Sequence, residues 1–312
     1  MAKTRQLRKR IKAVANIKRI TKTMQMIATA KFSASQQRAT ASKPYTEALF
    51  QLVAEMAGSI GEASHPLLKS PAGKSGGGAG AGTSGGGKEL TLIITSDRGL
   101  CGPYNGSILR TAMGFLRANA GAKAGEIELV GKKGAGFLKY NSIPVAKQHT
   151  FGDKPGYDAV QRLADEYIAR FSAGEISVVR VIYMKFVSAG KQTPAVLQLL
   201  PFDASAIQIA KKGQAASSAD EKTKTQAAQY EFSPTAAELL GDLLPAAVRA
   251  VLFQCLTDAV VSEHVARMVA MKAATDNAGK AGKRLTRVFN RARQAQITTE
   301  LTEIISGAAA LS

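Results

Sequence analysis

Long helical patterns at both ends of the 312-residue chain constrain its fold more than any other feature. In the first pattern apolar residues recur in steps of three and four, the period of one helix face. They are Ile11, Val14, Ile17, Ile20, Met24 and Ile27. The spacing resumes beyond Pro44, so we expect one long helix, straight or kinked at that proline, up to Gly58. A rod of about 80 Å cannot fold back on itself and needs a partner helix.

A second pattern of the same kind begins near residue 234 and continues to the C-terminus. Its apolar or small residues keep helical spacing in three groups. These are Val248, Leu252, Cys255 and Ala259, then Ser262, Ala266, Val269 and Ala273, and finally Ile297, Leu301, Ile304, Ala308 and Leu311. We therefore predict that the two ends pair as an antiparallel coiled coil, with segment 11–27 against segment 248–273.

The middle of the chain has a different character. Residues 71–87 hold nine glycines in seventeen positions, the composition of a flexible linker. Residues 88–202 alternate segments rich in branched side chains with helical segments near 104–118 and 158–172, which predicts an α/β unit with a largely parallel, Rossmann-like sheet. We expect four domains: the N-terminal long helix (1–60), a glycine-rich linker (61–87), the α/β insert (88–215), and a connecting segment with the C-terminal long helix (216–312).

The sequence predicts no catalytic residues, no cofactor site and no metal site. Gly82, Gly87 and Lys88 have the spacing of a phosphate-binding loop, but Glu89 stands where Ser or Thr must hold magnesium, and the segment precedes a strand instead of following one. The glycine-containing stretch 131–136, GKKGAG, is interpreted as a plain turn. Two distant cysteines and three histidines, none near a cysteine, favour neither a disulfide scaffold nor a metal centre.

Charge is distributed unevenly. The net charge is +19, and residues 1–46 contain twelve Lys and Arg with no acidic residue. Such asymmetry indicates a polyanionic or acidic partner, and it also fits a mitochondrial transit peptide. A nucleic-acid-binding coiled coil is the alternative function, although Phe32 is the only aromatic residue among the first 44. A membrane-surface helix would need a bulkier apolar face, and no run approaches the roughly 18 apolar residues of a membrane span.

Three stretches resemble the gamma subunit of the rotary F-type ATP synthase, and they occur in the family's order along the chain. They are IKRITKTMQMIATAKF (17–32), TSDRGLCGPYN (95–105), and the region 262–311, which begins SEHVARMVAMKAATDNA and ends RVFNRARQAQITTELTEIISGAAAL. The resemblance implies a non-catalytic rotor shaft that couples proton flow to conformational change in the β subunits. Its implied partners are the α and β ring subunits, the epsilon subunit and the membrane ring of c subunits.

The same resemblance bears on location. The basic N-terminus matches the family's mature shaft helix, which disfavours a transit peptide. Since Leu7 already lies in the helical pattern, the chain looks bacterial, and we expect a peripheral protein on the cytoplasmic face of the inner membrane. The chain lacks the cysteine pair of the light-regulated chloroplast form, so no thiol switch is predicted.

The resemblance also implies contact residues. Arg293 and Gln294 match a pair that hydrogen-bonds a β-subunit loop, and Thr298 is assigned to the same contact; a solvated polar helix face is the alternative. Met24 matches a shaft residue near the acidic hinge loop of β, or is plain coiled-coil seam. The membrane-ring contact is assigned to Tyr230, Glu231 and Phe232, although Phe232 replaces an expected Tyr. In DRGLCG, residues 97–102, the glycines predict a tight strand-to-helix loop.

Overall fold

The computed structural model describes residues 2–59, 67–68, 88–202 and 236–311. The chain divides into two compact units. Unit 1 comprises Met1–Lys31, Leu100–Gly102 and His264–Ser312, and unit 2 comprises Phe32–Gly99 and Pro103–Glu263.

Both predicted long helices are present. Helix α1 spans Ala2–Ser59, and the last helix, α6, spans Ala236–Leu311. Pro44 lies inside α1 and Pro245 inside α6, and neither proline ends its helix. Each long helix contributes residues to both units.

Unit 2 is built around a five-stranded sheet with the order β3-β2-β1-β4-β5. Its elements are β1 (Lys88–Ile94), α2 (Tyr104–Ala118), α3 (Ala120–Ala124), β2 (Glu126–Val130), α4 (Lys133–Tyr140), β3 (Lys147–His149), α5 (Tyr157–Ser172), β4 (Ile176–Ser188) and β5 (Lys191–Leu200). Strand β1 pairs parallel with β2 and β4, and β2 pairs parallel with β3. Only β5 runs antiparallel, next to β4. The prediction of an α/β unit with a largely parallel sheet is confirmed.

Helices cover the two faces of this sheet. Leu92 is fully buried in one hydrophobic cluster with residues of α5 and of the first part of α6, such as Leu163 and Leu252. Because successive strand residues point to opposite faces, Ile93 points to the other side. Its register partner Leu129 lies there against α4, and α2 and α3 also pack on the sheet.

Three short elements were not predicted from the sequence: α3, α4 and β3. The plain-turn interpretation of residues 131–136 is wrong beyond its first residues. Gly131 does turn the chain, with φ +89°, but Lys133 opens helix α4. A segment this rich in glycine has little intrinsic helix preference. Its helix depends on tertiary contacts, since Gly134 N donates to Thr95 Oγ1 and Leu138 is fully buried.

One described helix contains a window that is long and apolar enough to cross a membrane by composition alone. It lies within Glu238–Ala309, and half of the window is already buried inside the protein. The first part of α6 supplies Leu240, Leu244, Val248 and Leu252 to the core of unit 2. Burial of that part accounts for its apolar composition.

Candidate functional site

The paired helices of unit 1 lie antiparallel, and side-chain contacts fix their register. Thr275 Oγ1 donates to Thr21 Oγ1 at 2.9 Å. Near the far end of the pair, Thr4 Oγ1 donates to Gln296 Oε1 at 3.2 Å. As residue numbers fall along α1 they rise along α6, which is the antiparallel order. The predicted antiparallel pairing of the two ends is confirmed.

Between these two contacts the helices approach closely. A methyl group placed on Gly282 would lie 3.9 Å from Val14, and one placed on Gly279 would lie 3.8 Å from the Lys18 side chain. Both are ordinary contact distances, so these two glycines face α1 and the packing would accommodate a methyl group at either position. Arg8 extends across the pair, with its guanidinium carbon 5.6 Å from the centre of the Phe289 ring.

The seam differs from the predicted apolar stripe. The buried or half-buried positions of α1 in unit 1 include Thr4, Leu7, Ile11, Val14, Thr21, Met24, Gln25 and Ala28. Of the predicted stripe, Ile17, Ile20 and Ile27 are instead more than half exposed. The seam alternates steps of three and four around a heptad, and threonine and glutamine occupy several of its positions. Ile11, Val14 and Met24 of the predicted stripe therefore belong to the seam, whereas a search for apolar residues alone missed its threonine and glutamine positions.

The partner segment also needs correction. Segment 11–27 was predicted to pair with 248–273, but the observed register places Thr21 opposite Thr275 and Val14 opposite Gly282. Val248, Leu252, Cys255 and Ala259 are buried in the core of unit 2. Val269, predicted as seam, is 55% exposed.

The outward surface of the paired helices is strongly basic. Unit 1 contains 18 Lys and Arg against three Asp and Glu. The cations of α6 between residues 277 and 299 are all exposed, as are most of those on α1. They are Lys280, Lys283, Arg284, Arg287, Arg291 and Arg293 on α6, and Arg5, Arg8, Lys9, Arg10, Lys12, Lys18, Arg19 and Lys22 on α1. A surface of this kind favours an acidic partner.

The predicted β-contact residues lie on this surface. Arg293, Gln294 and Thr298 are exposed, and Thr298 Oγ1 donates to the carbonyl oxygen of Gln294 one turn earlier. Met24 is half-buried at the seam. The three residues of α6 are therefore accessible while the helices remain paired. The predicted membrane-ring contact, Tyr230 to Phe232, lies outside the described residues.

The loop after β1 has the predicted tight geometry. Gly102 has φ +58°, a conformation that favours glycine, and Leu100 adopts φ +63° although it is not glycine. A methyl group on Gly102 would lie 3.5 Å from the side chain of Ala270. Within unit 2, Asn105 Oδ1 accepts a hydrogen bond from Ser96 N at 3.0 Å and anchors the start of α2.

A buried polar network in unit 2 was missed by sequence reasoning. Glu128 is 2% exposed, and its Oε2 lies 2.7 Å from His149 Nε2 and accepts a hydrogen bond from the Tyr167 hydroxyl at 2.6 Å. Burial alone would raise the pKa of Glu128, but the bonds from His149 and Tyr167 and nearby positive charge lower it below its usual range. The pKa of Tyr167 is raised, first by burial and then by the charge of Glu128. Glu128 lies within the region predicted to form the α/β unit, but no sequence signal identifies its partners.

This network joins three elements of unit 2, since Glu128 lies on β2, His149 on β3 and Tyr167 on α5. Its three side chains are hydrogen-bonded to each other between the sheet and helix α5. Across the described ranges, no group of three or more His, Cys, Asp or Glu side chains could hold a metal ion. The network therefore has a structural role, since it holds these three elements together.

Comparison with known proteins assigns this architecture to one group. A family profile described as ATP synthase matches residues 3–311. The chain is 38% identical over 313 residues to the ATP synthase gamma chain of Rhodopirellula baltica, covering 100% of this chain and 99% of the relative. It is 37% identical to the ATP synthase gamma chain of Desulfitobacterium hafniense, with both chains covered completely.

Solved structures show the same fold at low sequence identity. A chain in the rotor of the Euglena gracilis mitochondrial ATP synthase superposes with a TM-score of 0.61 at 17% identity, covering 95% of this chain and 99% of that one. A chain in the central stalk and c-ring of the Tetrahymena thermophila mitochondrial ATP synthase gives a TM-score of 0.54 at 19% identity, covering 82% and 99%.

Proposed function

The chain belongs to the ATP synthase gamma-chain family, and from this premise we propose how its paired helices work as the central shaft of a rotary F-type ATP synthase. Members of the family are non-catalytic subunits, so the chain contributes to ATP synthesis by mechanical coupling. The comparisons give no support to the nucleic-acid-binding alternative.

The observation that carries the proposal is the antiparallel pair of unit 1, closed at its seam and basic outside. Thr21 with Thr275 and Thr4 with Gln296 join the helices from within, so the exposed cations remain available to surrounding subunits. Partners of opposite charge would surround such a shaft. These partners are the α and β ring subunits. The epsilon subunit and the ring of c subunits bind at the other end of the shaft.

Rotation is then coupled to the β subunits because the shaft contacts their different conformations unequally. The surface of the shaft is not symmetric, because its two helices differ in sequence and expose different side chains. Each orientation of the shaft stabilises one conformation of a β subunit more than the others, and a bound group shifts a conformational equilibrium only through such a difference. Rotation of the shaft by the membrane ring therefore changes nucleotide affinity at the β subunits in sequence.

The contact residues of this proposal are Arg293, Gln294, Thr298 and Met24 toward β, and Tyr230 to Phe232 toward the c subunits. Their accessibility on α6 supports the first three. The proposed division of the chain remains 1–60, 61–87, 88–215 and 216–312. The chain is part of a membrane-associated complex, and relatives from bacteria support placement on the cytoplasmic face of the inner membrane.

Substitutions in the assembled complex test the contact. A hydrogen bond to a charged group contributes roughly 1.5–3 kcal/mol. If Arg293 and Gln294 form theirs in one rotary state only, Arg293→Ala and Gln294→Ala should each slow ATP hydrolysis about tenfold or more, with nucleotide binding little changed.

Arg287→Ala is the matched control, since Arg287 is exposed on the same helix but lies outside the RARQ motif. It should assemble and turn over like the unmodified chain. Normal turnover of both motif variants together with an impaired control would place the contact elsewhere on the shaft. Failure of the unmodified chain to co-purify with α and β subunits would contradict the shaft function itself.

A further inference from the structure

One helix layer of unit 2 carries cations and no acidic residue. Helices α2, α3 and α4 contain Arg110, Arg117, Lys123, Lys133 and Lys139, and all five are exposed. No Asp or Glu occurs within these three helices. Helix α5, on the other face of the sheet, contains three acidic residues and two arginines. The helices on one face of the sheet therefore carry only positive charge, whereas α5 on the other face carries both signs.

Two exposed aromatic residues lie in this layer. The side chain of Tyr140 is 87% exposed, and Phe137, three residues earlier on α4, is 39% exposed. Residues three apart on a helix lie on the same side of it. We call the five exposed cations together with Phe137 and Tyr140 the basic helix face.

Helix α4 holds these aromatics rigidly. At its start, Lys133 N donates to the carbonyl oxygen of Ser96 at 3.0 Å, and the buried Leu138 fixes its underside. At its end, Ile143 N donates to the Leu138 carbonyl at 3.0 Å and Ser142 N donates to the Lys139 carbonyl at 3.1 Å, the two bonds of a Schellman cap.

The residue that completes this cap has an unfavourable backbone conformation. Ser142 adopts φ +56°, a conformation that glycine would adopt more easily. Tyr140 therefore lies in the last turn of a helix that is anchored at both ends, and its backbone needs no ordering when a partner binds. Rigid aromatic side chains provide contact area at low entropic cost, and Tyr is frequent among the residues that dominate interface energies.

We propose that the basic helix face docks an acidic protein surface in the same assembly, with Tyr140 as its principal aromatic contact. The proposal rests on the proposed function, since the partner is sought within the complex. The face combines exposed aromatic side chains with arginines, residue types that are enriched at protein interfaces. A second copy of this chain is disfavoured because its net charge is +19.

A protein fits better than a lipid surface or nucleic acid. Outward positions of α2 are occupied by Gly106, Arg110, Gly114 and Arg117, so the layer lacks the bulky apolar face that inserts into a bilayer. Its cations are also separated along three helices, whereas phosphate-binding patches typically concentrate them in one short run.

Photo-crosslinking in the assembled complex tests the proposal. Benzoylphenylalanine replaces Tyr140, the complex is purified through a tag on its β subunit and irradiated, and the adduct is identified by mass spectrometry. We expect an adduct to a partner protein at a peptide rich in Asp and Glu. Charge reversal by Arg117→Glu with Lys139→Glu should lower its yield about tenfold.

Controls separate this contact from general exposure. The same probe at Tyr45, which is 61% exposed on α1, should not give that adduct, and Lys191→Glu on β5 should leave the yield unchanged. A complex that contains the chain but gives no adduct, or an adduct to lipid, nucleic acid or a non-acidic peptide only, overturns the inference alone. Absence of the chain from the purified complex overturns the proposed function and the inference with it.

Discussion

Unit 1 and unit 2 of this chain are stabilised in different ways. Unit 2 buries a large hydrophobic cluster on its sheet and contains 24 Lys and Arg against 20 Asp and Glu. Unit 1 contains 18 against three, and its helices leave Ile17, Ile20 and Ile27 more than half exposed. Unit 2 has a hydrophobic core of its own and nearly balanced charge, whereas unit 1 exposes isoleucines and cations that a surrounding partner would satisfy.

Ion pairs show the same contrast. In unit 2, Arg170 Nη2 lies 2.6 Å from Glu126 Oε2, Arg249 Nε lies 2.6 Å from Asp165 Oδ1, and Arg180 pairs with Glu89. The cations on the outside of unit 1 have few acidic residues on their own unit. A shaft that turns inside other subunits must present contacts outward, and the difference between the two units corresponds to that task.

The largest expected difference between the two units is in the stability lost when an isoleucine is replaced by alanine. Ile93→Ala, at a fully buried position of β1, should lower the free energy of unfolding of unit 2 by about 2–5 kcal/mol, because a cavity remains where the side chain was. Ile20→Ala, at a position 56% exposed on α1, should change the stability of unit 1 by no more than about 0.5 kcal/mol.

Hydrogen exchange of amides in each unit measures the two effects separately. Ile20→Ala should nevertheless weaken binding of the chain to the ring subunits, since its side chain faces outward. Equal losses of stability in both units would contradict the distinction drawn between them.

Adding a methyl group at a glycine should change stability in opposite directions in the two units. At Gly131, with φ +89°, the new carbon would meet the carbonyl oxygen of Thr95 at 2.4 Å, so Gly131→Ala should destabilise unit 2 by at least about 2 kcal/mol. At Gly282 it would meet Val14 at 3.9 Å, an ordinary contact.

Gly282→Ala should therefore stabilise the helices of unit 1 by about 0.5–1 kcal/mol, through helix propensity. Thermal unfolding followed by helix circular dichroism, with hydrogen exchange to assign the unit, checks both variants. Destabilisation by Gly282→Ala would mean that the helices pack more tightly than the 3.9 Å contact indicates.

Acid should weaken unit 2 through Glu128. The folded-state pKa of this carboxyl is lowered below its ordinary value of 4.5, so its contribution to stability is present above pH 4.5 and is lost as pH falls through the folded pKa. Glu128→Gln should cost about 1.5–3 kcal/mol at neutral pH, because it removes the charge that His149 and Tyr167 bond.

Below pH 4.5, the free energy of unfolding of unit 2 should fall less steeply with decreasing pH in the variant than in the unmodified chain. Denaturant unfolding at several pH values, read from amides of β2 and β3, measures it. Glu166→Gln is the matched control, since its partner Lys147 is nearly half exposed and the pair should contribute little. An unchanged pH profile in Glu128→Gln would assign the acid sensitivity to other carboxyls.

Much of the fold could be predicted because strong periodicity identifies long elements. The helix near 104–118 is observed at Tyr104–Ala118, and the helix near 158–172 is observed at Tyr157–Ser172. Helix α4 escaped prediction because tertiary hydrogen bonds at Ser96 and Thr95 hold a glycine-rich segment helical. Local sequence does not contain those contacts.

The seam was harder to predict than the helices that form it. Thr4, Thr21 and Gln25 occupy inward positions where an apolar residue was expected, and Ile17 and Ile20 lie outward. In a soluble helix pair with no other partner this pattern would be unfavourable. It becomes intelligible when the outward isoleucines face other subunits, information that a single chain's periodicity lacks.

A disulfide bond across the seam is the most direct test that the two paired helices turn together as one rigid shaft. The Oγ1 atoms of Thr21 and Thr275 lie 2.9 Å apart, so sulfurs in their place can bond when both residues are replaced by cysteine, and the native Cys101 and Cys255 are buried. In the assembled complex we predict that Thr21→Cys with Thr275→Cys crosslinks on oxidation and that ATP hydrolysis continues at a similar rate, with or without reductant. Failure to crosslink would contradict the antiparallel register, and a reversible loss of turnover on crosslinking would show that the helices must move against each other.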